Sequence, residues 1–407
     1  MHQSFPGQYQ HIVLALLKSN HRIVALGVSN CTLDNSKHFH YVQYQLNRGN
    51  TSGIHPWLLD LDSKLIRGEA CARAAYSLKA QGFSPDIICA HPGWGESLFL
   101  KEIWPNCPLL SYQEFFYNSS GFDSSFDPEF ISDNDWTKAA RIHLKNANPL
   151  LALQTSAWNV TPTEFQRSSF PSIYSSQFSV IHDGVNIHNY LPREDTPNVS
   201  LSTGQIVSRD DINITFVNRH VEPYRGCHTF IRAIPLIQQN YPESNIFIVG
   251  ETEGVSYGEP GPNNCWSDVF LSEIKGKYDP SRVFFVGSLD YKTFTSLLRL
   301  SSCHVYLTYP FVLSWSLLEA MSLGLAIVGS ATSPVEEVIT HEFSGLLVDF
   351  FSPSQLADSV CSILGNTRLS NYLGSNARKH VIEQYSLELC VPRHLALIDL
   401  VASGSIR

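Results

Sequence analysis

From about residue 8 onward, short runs of β-branched and aromatic residues alternate with segments of helical period. This alternation is the mark of βαβ units, whose crossovers make the sheet parallel and doubly wound. It predicts strands near 22–28, 86–91, 107–111, 150–154 and 178–181, with helices filling the gaps. After VIHDGVNIH comes a polar stretch, 191–211, rich in Pro, Ser, Thr and Asp, which reads as a linker. The pattern restarts at INITFVNRH, from 212, and predicts further strands near 244–250, 282–286, 303–308, 325–329 and 345–348. The expected fold is therefore α/β, with two doubly wound Rossmann-like domains facing across a cleft. The first covers 1–190 and the second 212–375, while 376–407 reads as amphipathic helices able to cross back to the first domain.

Bulk properties narrow the function. At 407 residues, with 43% hydrophobic and 16% charged residues, the chain can bury two cores and is not disordered. A net charge of −9 offers no basic footprint, which argues against nucleic acid as a partner. A small patch for anionic lipid headgroups remains compatible. The nine cysteines lack a C-x-x-C pair or a repeating interval, so no zinc-ligand spacing or disulfide framework is visible, and reduced, buried thiols are expected. The run HIVLALLKSNHRIVALGV is cut by Lys18, His21 and Arg22, and no stretch reaches the ~18 apolar residues of a membrane span. A cytoplasmic protein is expected, with peripheral contact at the inner face of a membrane left open. NVT at 159–161 fits a glycosylation acceptor by chance. The chain opens on HQSFPGQYQH, a turn leading into a helix, where a doubly wound domain normally opens with a strand; the expectation is that this first strand lies upstream of Met1.

Open α/β sheets bind ligands beyond the C-terminal ends of their strands. There FVNRHVEPYRG places Arg219 and Arg225 on one loop, and guanidinium forks suit a diphosphate; a solvated basic loop is the plainer alternative. In YPFVLSWSLLEAMSLG a single carboxylate, Glu319, stands in an apolar helix. A Ser three residues ahead of it makes a capping box one explanation. Backbone N–H groups in YPFVLS and a Glu able to accept from a vicinal diol make nucleotide binding another.

These residues carry a resemblance. ITFVNRHVEPYRG and LSWSLLEAMSLGLAIVGSATSPVEEVI resemble elements of the retaining glycosyltransferases of family 4, which have the GT-B fold. HQSFPGQYQH, HPGWGESLFLKEIWP and FDPEF resemble the first domain of one branch of that family. The resemblance implies an enzyme that transfers a hexosyl-type sugar from a nucleotide-sugar donor, retaining its configuration, without a metal or other cofactor. The acceptor would be a glycan, a lipid-linked or a small molecule, as in cell-envelope polysaccharide synthesis. It implies that Arg219 and Arg225 hold the donor diphosphate and that Glu319 accepts from the ribose hydroxyls. Gly250 and Glu251 would shape the nucleotide pocket, with Val286 and Gly287 against the base. The first glutamate of the family's pair, eight positions ahead of Glu319 and in contact with the transferred sugar, is here Phe311, which leaves the sugar to backbone groups of Val312, Leu313 and Ser314.

In the first domain, Gly7 in FPGQ would let backbone approach a phosphate or acceptor closely. By the same resemblance, His91, at the end of DIICAH, would bond the transferred sugar. Glu96, Glu114 and Trp94 are candidates for the acceptor side, and Trp104 for stacking or the core. Asp60 and Asp62 in LLDLDS fit the Asp-x-Asp of a metal-dependent transferase, but a charge cluster at a helix N-terminus fits better. A sugar-nucleotide epimerase of the same fold and a non-catalytic sugar-nucleotide or glycan-binding protein are the alternatives.

Overall fold

A computed structural model describes residues 1–131 and 136–406. The chain forms two compact units, one of Met1–Gly184 with Leu387–Arg407, the other of Val185–Ser386.

The first unit runs α1 (Gln10–Lys18), β1 (Ile23–Gly27), β2 (Phe39–Gln43), α2 (Leu59–Ala80), β3 (Ile88–Ala90), α3 (Leu100–Ile103), β4 (Leu109–Tyr112), α4 (Trp136–Lys145), α5 (Ala147–Thr155), β5 (Trp158–Thr161), α6 (Glu164–Ser169) and β6 (Phe178–Val180). β1 pairs parallel with β2, and β3, β4, β5 and β6 form a second parallel sheet in that order. Helix α1 buries Ile12 and Val13 against Ala25 and Phe39.

The stretch 150–154, expected as a strand, lies inside α5. An apolar run of Leu and Ala without β-branched residues has no period to distinguish it from a buried strand, and both residues are strong helix formers. The strand comes next, as WNVT, so the NVT asparagine is wholly buried: Asn159 accepts a hydrogen bond from Gln113 at 3.1 Å.

The second unit runs β7 (Val199–Ser200), β8 (Ile206–Val207), β9 (Asn213–His220), α7 (Cys227–Asn240), β10 (Asn245–Glu251), α8 (Trp266–Glu273), β11 (Val283–Gly287), α9 (Tyr291–Arg299), β12 (Cys303–Tyr306), α10 (Trp315–Ser322), β13 (Ile327–Ser330), α11 (Ser333–Glu336), β14 (Leu346–Val348), α12 (Pro353–Leu364) and α13 (Thr367–Gln384). Its main sheet is six-stranded and wholly parallel, in the order β11-β10-β9-β12-β13-β14. The strand order reverses between β9 and β12, the switch point at which such sheets bind ligands. Helix α10 packs Leu317, Leu318, Ala320 and Met321 into the core beneath.

Two expected boundaries move. The polar stretch 191–211 is part of the second unit: β7 and β8 pair antiparallel, and Leu201 and Val207 are buried against Phe247, Val249 and Val286. The interval 376–407 divides between the units. Helix α13 stays with the second, while α14 (Leu387–Ala402) packs Leu397, Ile398 and Val401 beside Tyr9, Ile12 and Tyr112 in the first. Among the described residues, no helix is long and apolar enough to cross a membrane.

Candidate functional site

Arg225 occupies the switch point of the second unit. It closes a tight turn, Pro223–Arg225, at which Gly226 takes φ +70°. A Cβ at Gly226 would meet Leu307 Cβ at 2.4 Å, so the turn presses directly on the segment after β12. From there the Arg225 Nη1 donates to Thr308 Oγ1 at 2.8 Å and to the Val312 carbonyl at 3.0 Å. The guanidinium lies over the Tyr257 ring, 5.3 Å from its centroid, and 6.0 Å from that of Phe311. Ser330 and Thr332 hydroxyls donate to the Thr308 carbonyl behind it. Two strand ends are thus tied through one cation whose Nε and Nη2 have no hydrogen-bond partner among the described residues.

Glu222, which the sequence reading passed over, organises this site. Its carboxylate is buried and accepts from the backbone N–H of Ser256 at 2.6 Å and of Tyr257 at 3.0 Å, pinning the loop after β10. Burial raises its pKa, opposed first by those two bonds and then by the charges of Arg225 and Arg219. The field of both guanidiniums therefore reaches one carboxylate, although Arg219 itself, in β9, is exposed. The available signal was an acid placed between two arginines in RHVEPYR. His220 Nδ1 holds the same loop through Ser256 Oγ at 2.7 Å.

Glu319 sits on α10 and is 7% exposed. It does not cap the helix: the N-cap is Ser314, whose hydroxyl accepts from Ser316 N. Instead Tyr291 donates to Glu319 Oε1 at 3.3 Å, and the Tyr190 hydroxyl lies near the same carboxylate. Desolvation raises the carboxyl's pKa, and the hydroxyls of Tyr190 and Tyr291 oppose the rise.

Several expected contacts are revised. Ser314 N–H donates to Tyr306 Oη at 2.8 Å and the Val312 carbonyl is taken by Arg225, so these backbone groups brace the site internally. Leu313 is buried in the core of the second unit. The Val286 side chain is buried in the core among Leu201, Phe247 and Leu297, where strand alternation directs it. Phe311 is 2% exposed, edge-on to Tyr257 at 4.7 Å. Gly250, at φ +137°, allows close passage of β9, since a Cβ there would lie 2.6 Å from the Asn218 carbonyl. Glu251 is exposed at the end of β10, and its carbonyl accepts from Val221 N. Gly287, at φ +65°, has open space where a Cβ would stand.

In the first unit the candidates gather around His91, at the end of β3. The imidazole is buried between Trp94, 4.5 Å away, and Tyr112, 5.4 Å away. Burial, then the neighbouring His2, pushes its pKa well below the usual range, so the ring is neutral. Its Nδ1 accepts from Gly93 N at 3.1 Å, which assigns the proton to Nε2. That nitrogen lies 3.9 Å from Glu114 Oε2, and Gln8 donates to Glu114 Oε1 at 3.4 Å. Glu96 departs from expectation: it is wholly buried and accepts from Tyr44 at 2.9 Å, an interior acid that no acceptor reaches. Trp104 is buried in the core beside Phe83. Asp60 and Asp62 lie in the first turn of α2; Asp60 pairs with Lys64 at 2.6 Å and Asp62 accepts from Thr51 N at 2.7 Å.

Gly7 serves the same cluster. Its φ is +50°, and a Cβ there would stand 2.3 Å from the His2 ring. Gly7→Ala is accordingly expected to cost ~1 kcal/mol or more, from positive φ and displacement of His2. Urea unfolding of the variant beside the parent checks this.

Comparison with known proteins bears on the fold of both units. The profile described as Glycosyl transferase family 4 group matches residues 19–190, and that of Glycosyl transferases group 1 matches 202–380. Sucrose-phosphate synthase from Thermosynechococcus elongatus superposes with TM-score 0.72 at 18% identity, over 99% of this chain and 95% of that one. HepE of Anabaena, solved in complex with UDP, superposes with TM-score 0.68 at 15% identity, over 98% of each chain. An uncharacterised glycosyltransferase of Methanocaldococcus jannaschii is 25% identical over 192 residues, 47% of this chain and 46% of that protein. N-acetyl-alpha-D-glucosaminyl L-malate synthase of Bacillus anthracis is 29% identical over 134 residues, 33% of this chain and 34% of that protein. The chain thus spans about half or less of these two curated relatives. The fold is GT-B. The chain belongs to the family 4 glycosyltransferases.

Proposed function

We propose that this protein transfers a sugar from a nucleotide-sugar donor to a glycan, lipid-linked or small-molecule acceptor, with retention of configuration and without a metal. The observation that carries the reading is Arg225 at the switch point, braced on one edge by Thr308 and Val312. A fixed cation with spare donors at a strand-end crevice suits a diphosphate. The HepE structures hold UDP and UDP-glucose, which supports the same donor class here.

In this reading Arg225 and Arg219 take the charge that develops on the departing diphosphate, helped by the amino end of α10. Glu319 accepts from the ribose, exchanging the weak Tyr291 bond for a sugar hydroxyl. His91, neutral with its proton on Nε2, offers a donor to the transferred sugar, and Glu114 and Trp94 serve the acceptor. Two guanidiniums supply the positive charge that a divalent cation supplies elsewhere, so turnover is expected to survive EDTA undiminished; loss of activity restored by manganese would refute the metal-free mechanism. The reaction is cytoplasmic in this account, at the membrane face where the acceptor is lipid-linked, and serves the cell envelope.

The test is incubation with a panel of nucleotide sugars, read first by thermal protection. A donor at 100 times its Kd adds ~2.7 kcal/mol of stability. Nucleoside diphosphate release and the anomeric configuration of the product, by NMR, then decide turnover and retention. A second reading, non-catalytic nucleotide-sugar binding, draws on Phe311, an aromatic ring where the family has a carboxylate; protection without diphosphate release would favour it.

A further inference from the structure

Glu222 joins two pieces of backbone that lie far apart in the chain. It is the N-cap of the turn Pro223–Arg225, and its carbonyl accepts the Arg225 N–H at 3.1 Å. The polar side chains favoured at N-caps bond their own turn. That of Glu222 does not. Its carboxylate crosses instead to the loop after β10, where Oε2 alone accepts from both Ser256 N–H, at 2.6 Å, and Tyr257 N–H, at 3.0 Å.

That loop is closed at its base by backbone: Gly254 N donates to Asn264 O at 2.8 Å, and Glu253 bridges antiparallel to Cys265. Its tip is bracketed by Gly254 and Gly258, at φ +80° and +79°, so the backbone there has little stiffness of its own. Side chains fasten it. Glu222 holds the two amides, and His220 Nδ1 lies 2.7 Å from Ser256 Oγ. The same tip carries the Tyr257 ring, whose centroid stands 5.3 Å from the Arg225 guanidinium carbon and 4.7 Å from the centroid of Phe311. Arg225 is thus held along one edge by Thr308 and Val312 and on one face by a ring whose place depends on Glu222. A carboxylate beside an anion site repels the ligand and is costly to bury. What this one secures is two ordered amides.

Resting on the donor reading above, we propose that Glu222 is a positioning residue: through the amides of Ser256 and Tyr257 it sets the ring on which Arg225 lies. The guanidinium edge bearing Nε and Nη2 then keeps one orientation before any diphosphate arrives. Donors fixed in this way need no reorganisation as charge develops.

The test reads Arg225 directly, in ligand-free protein with isotope-labelled arginine. The Arg225 Nε–H resonance, assigned by its loss in Arg225→Lys, carries the ring-current shift of Tyr257. Glu222→Ala and Tyr257→Ala are both expected to move it toward the position of a free arginine side chain. Glu222→Gln, whose amide oxygen can take both N–H bonds, should recover most of the parent shift. Should Glu222→Ala fail to fold, Glu222→Asp, one methylene too short for the loop, is expected to move the resonance in the same direction. Affinity for whichever of UDP, GDP and ADP the parent binds best should fall about tenfold in each alanine variant. The double variant should bind no more weakly than the weaker single one, because both residues act through one contact. Glu222→Gln should recover most of the affinity, which a role through charge would not allow. An unmoved resonance in the folded Glu222 variants, or additive losses in the double variant, overturns the proposal. If the resonance moves as stated while no variant, Arg225→Ala included, loses diphosphate affinity, the positioning role stands and the donor reading fails.

Discussion

Arg225→Ala is expected to lower kcat/KM with the best nucleotide-sugar donor by about a hundredfold or more, equivalent to ~2.7 to 4 kcal/mol of transition-state stabilisation. The size follows from placement. Arg225 is 8% exposed, fixed by Thr308 and Val312, and stacked on Tyr257, so it pays no reorganisation when charge builds on the leaving diphosphate. Arg225→Lys keeps the charge and loses the fork, and is expected to recover only part of the rate. Removing the bond to Val312 also frees the loop ahead of α10, so near-ultraviolet circular dichroism should accompany the assay. Full activity in a folded Arg225→Ala protein would remove the diphosphate from this site.

The second large effect is acid instability of the first unit. His182 and His394 are buried together, with His394 Nε2 3.2 Å from the His182 carbonyl, and His2 is buried beneath Gly7. Desolvation lowers their pKa values to about 3, about 4 and about 4, respectively. The sign follows from linkage: the unfolded chain binds protons near pH 6.5 that the folded one refuses, so stability is full above pH 6.5 and is lost as pH falls toward 4. At pH 5 each of the three is expected to cost on the order of 1 to 2 kcal/mol, together a large share of the stability of an ordinary domain. Urea unfolding at pH 7 and pH 5 measures it. His394→Gln should flatten the dependence, and an unchanged midpoint across that interval would show that these rings protonate without unfolding.

The fold was readable because its strands are rich in β-branched and aromatic residues. FVNRH, IFIVG and CHVYL each stand out from the helices around them, and most expected strands fall within two or three residues of those found. LLALQ was misread because five residues of mostly Leu and Ala are too short a run to show a helical period, although Leu151 and Gln154 face solvent while Ala152 and Leu153 are buried, and the polar stretch 191–211 because its three anchors, Val199, Leu201 and Val207, are lost among turn residues. Arg219 and Arg225 were legible as charges placed around the end of a strand, and Glu319 as a lone carboxylate in an apolar helix. What stayed hidden depends on direction. Nothing in VEPYRG says that Glu222 turns back to hold the backbone of Ser256 and Tyr257, and nothing in GESLF says that Glu96 points inward to Tyr44. Tyr190 and Tyr291 lie far from Glu319 in the chain and meet it only through the fold.

The account rests on a diphosphate held by Arg225 in the second unit. The most direct measurement is calorimetric titration of nucleoside diphosphates and the matching nucleosides into the parent, Arg225→Ala and Glu319→Gln proteins. The expected result is that Arg225→Ala weakens the diphosphate at least about tenfold while leaving nucleoside affinity nearly unchanged, as loss of a charge-assisted fork requires. Glu319→Gln should weaken nucleoside and nucleotide alike. Equal diphosphate affinity in the parent and Arg225→Ala would contradict the account.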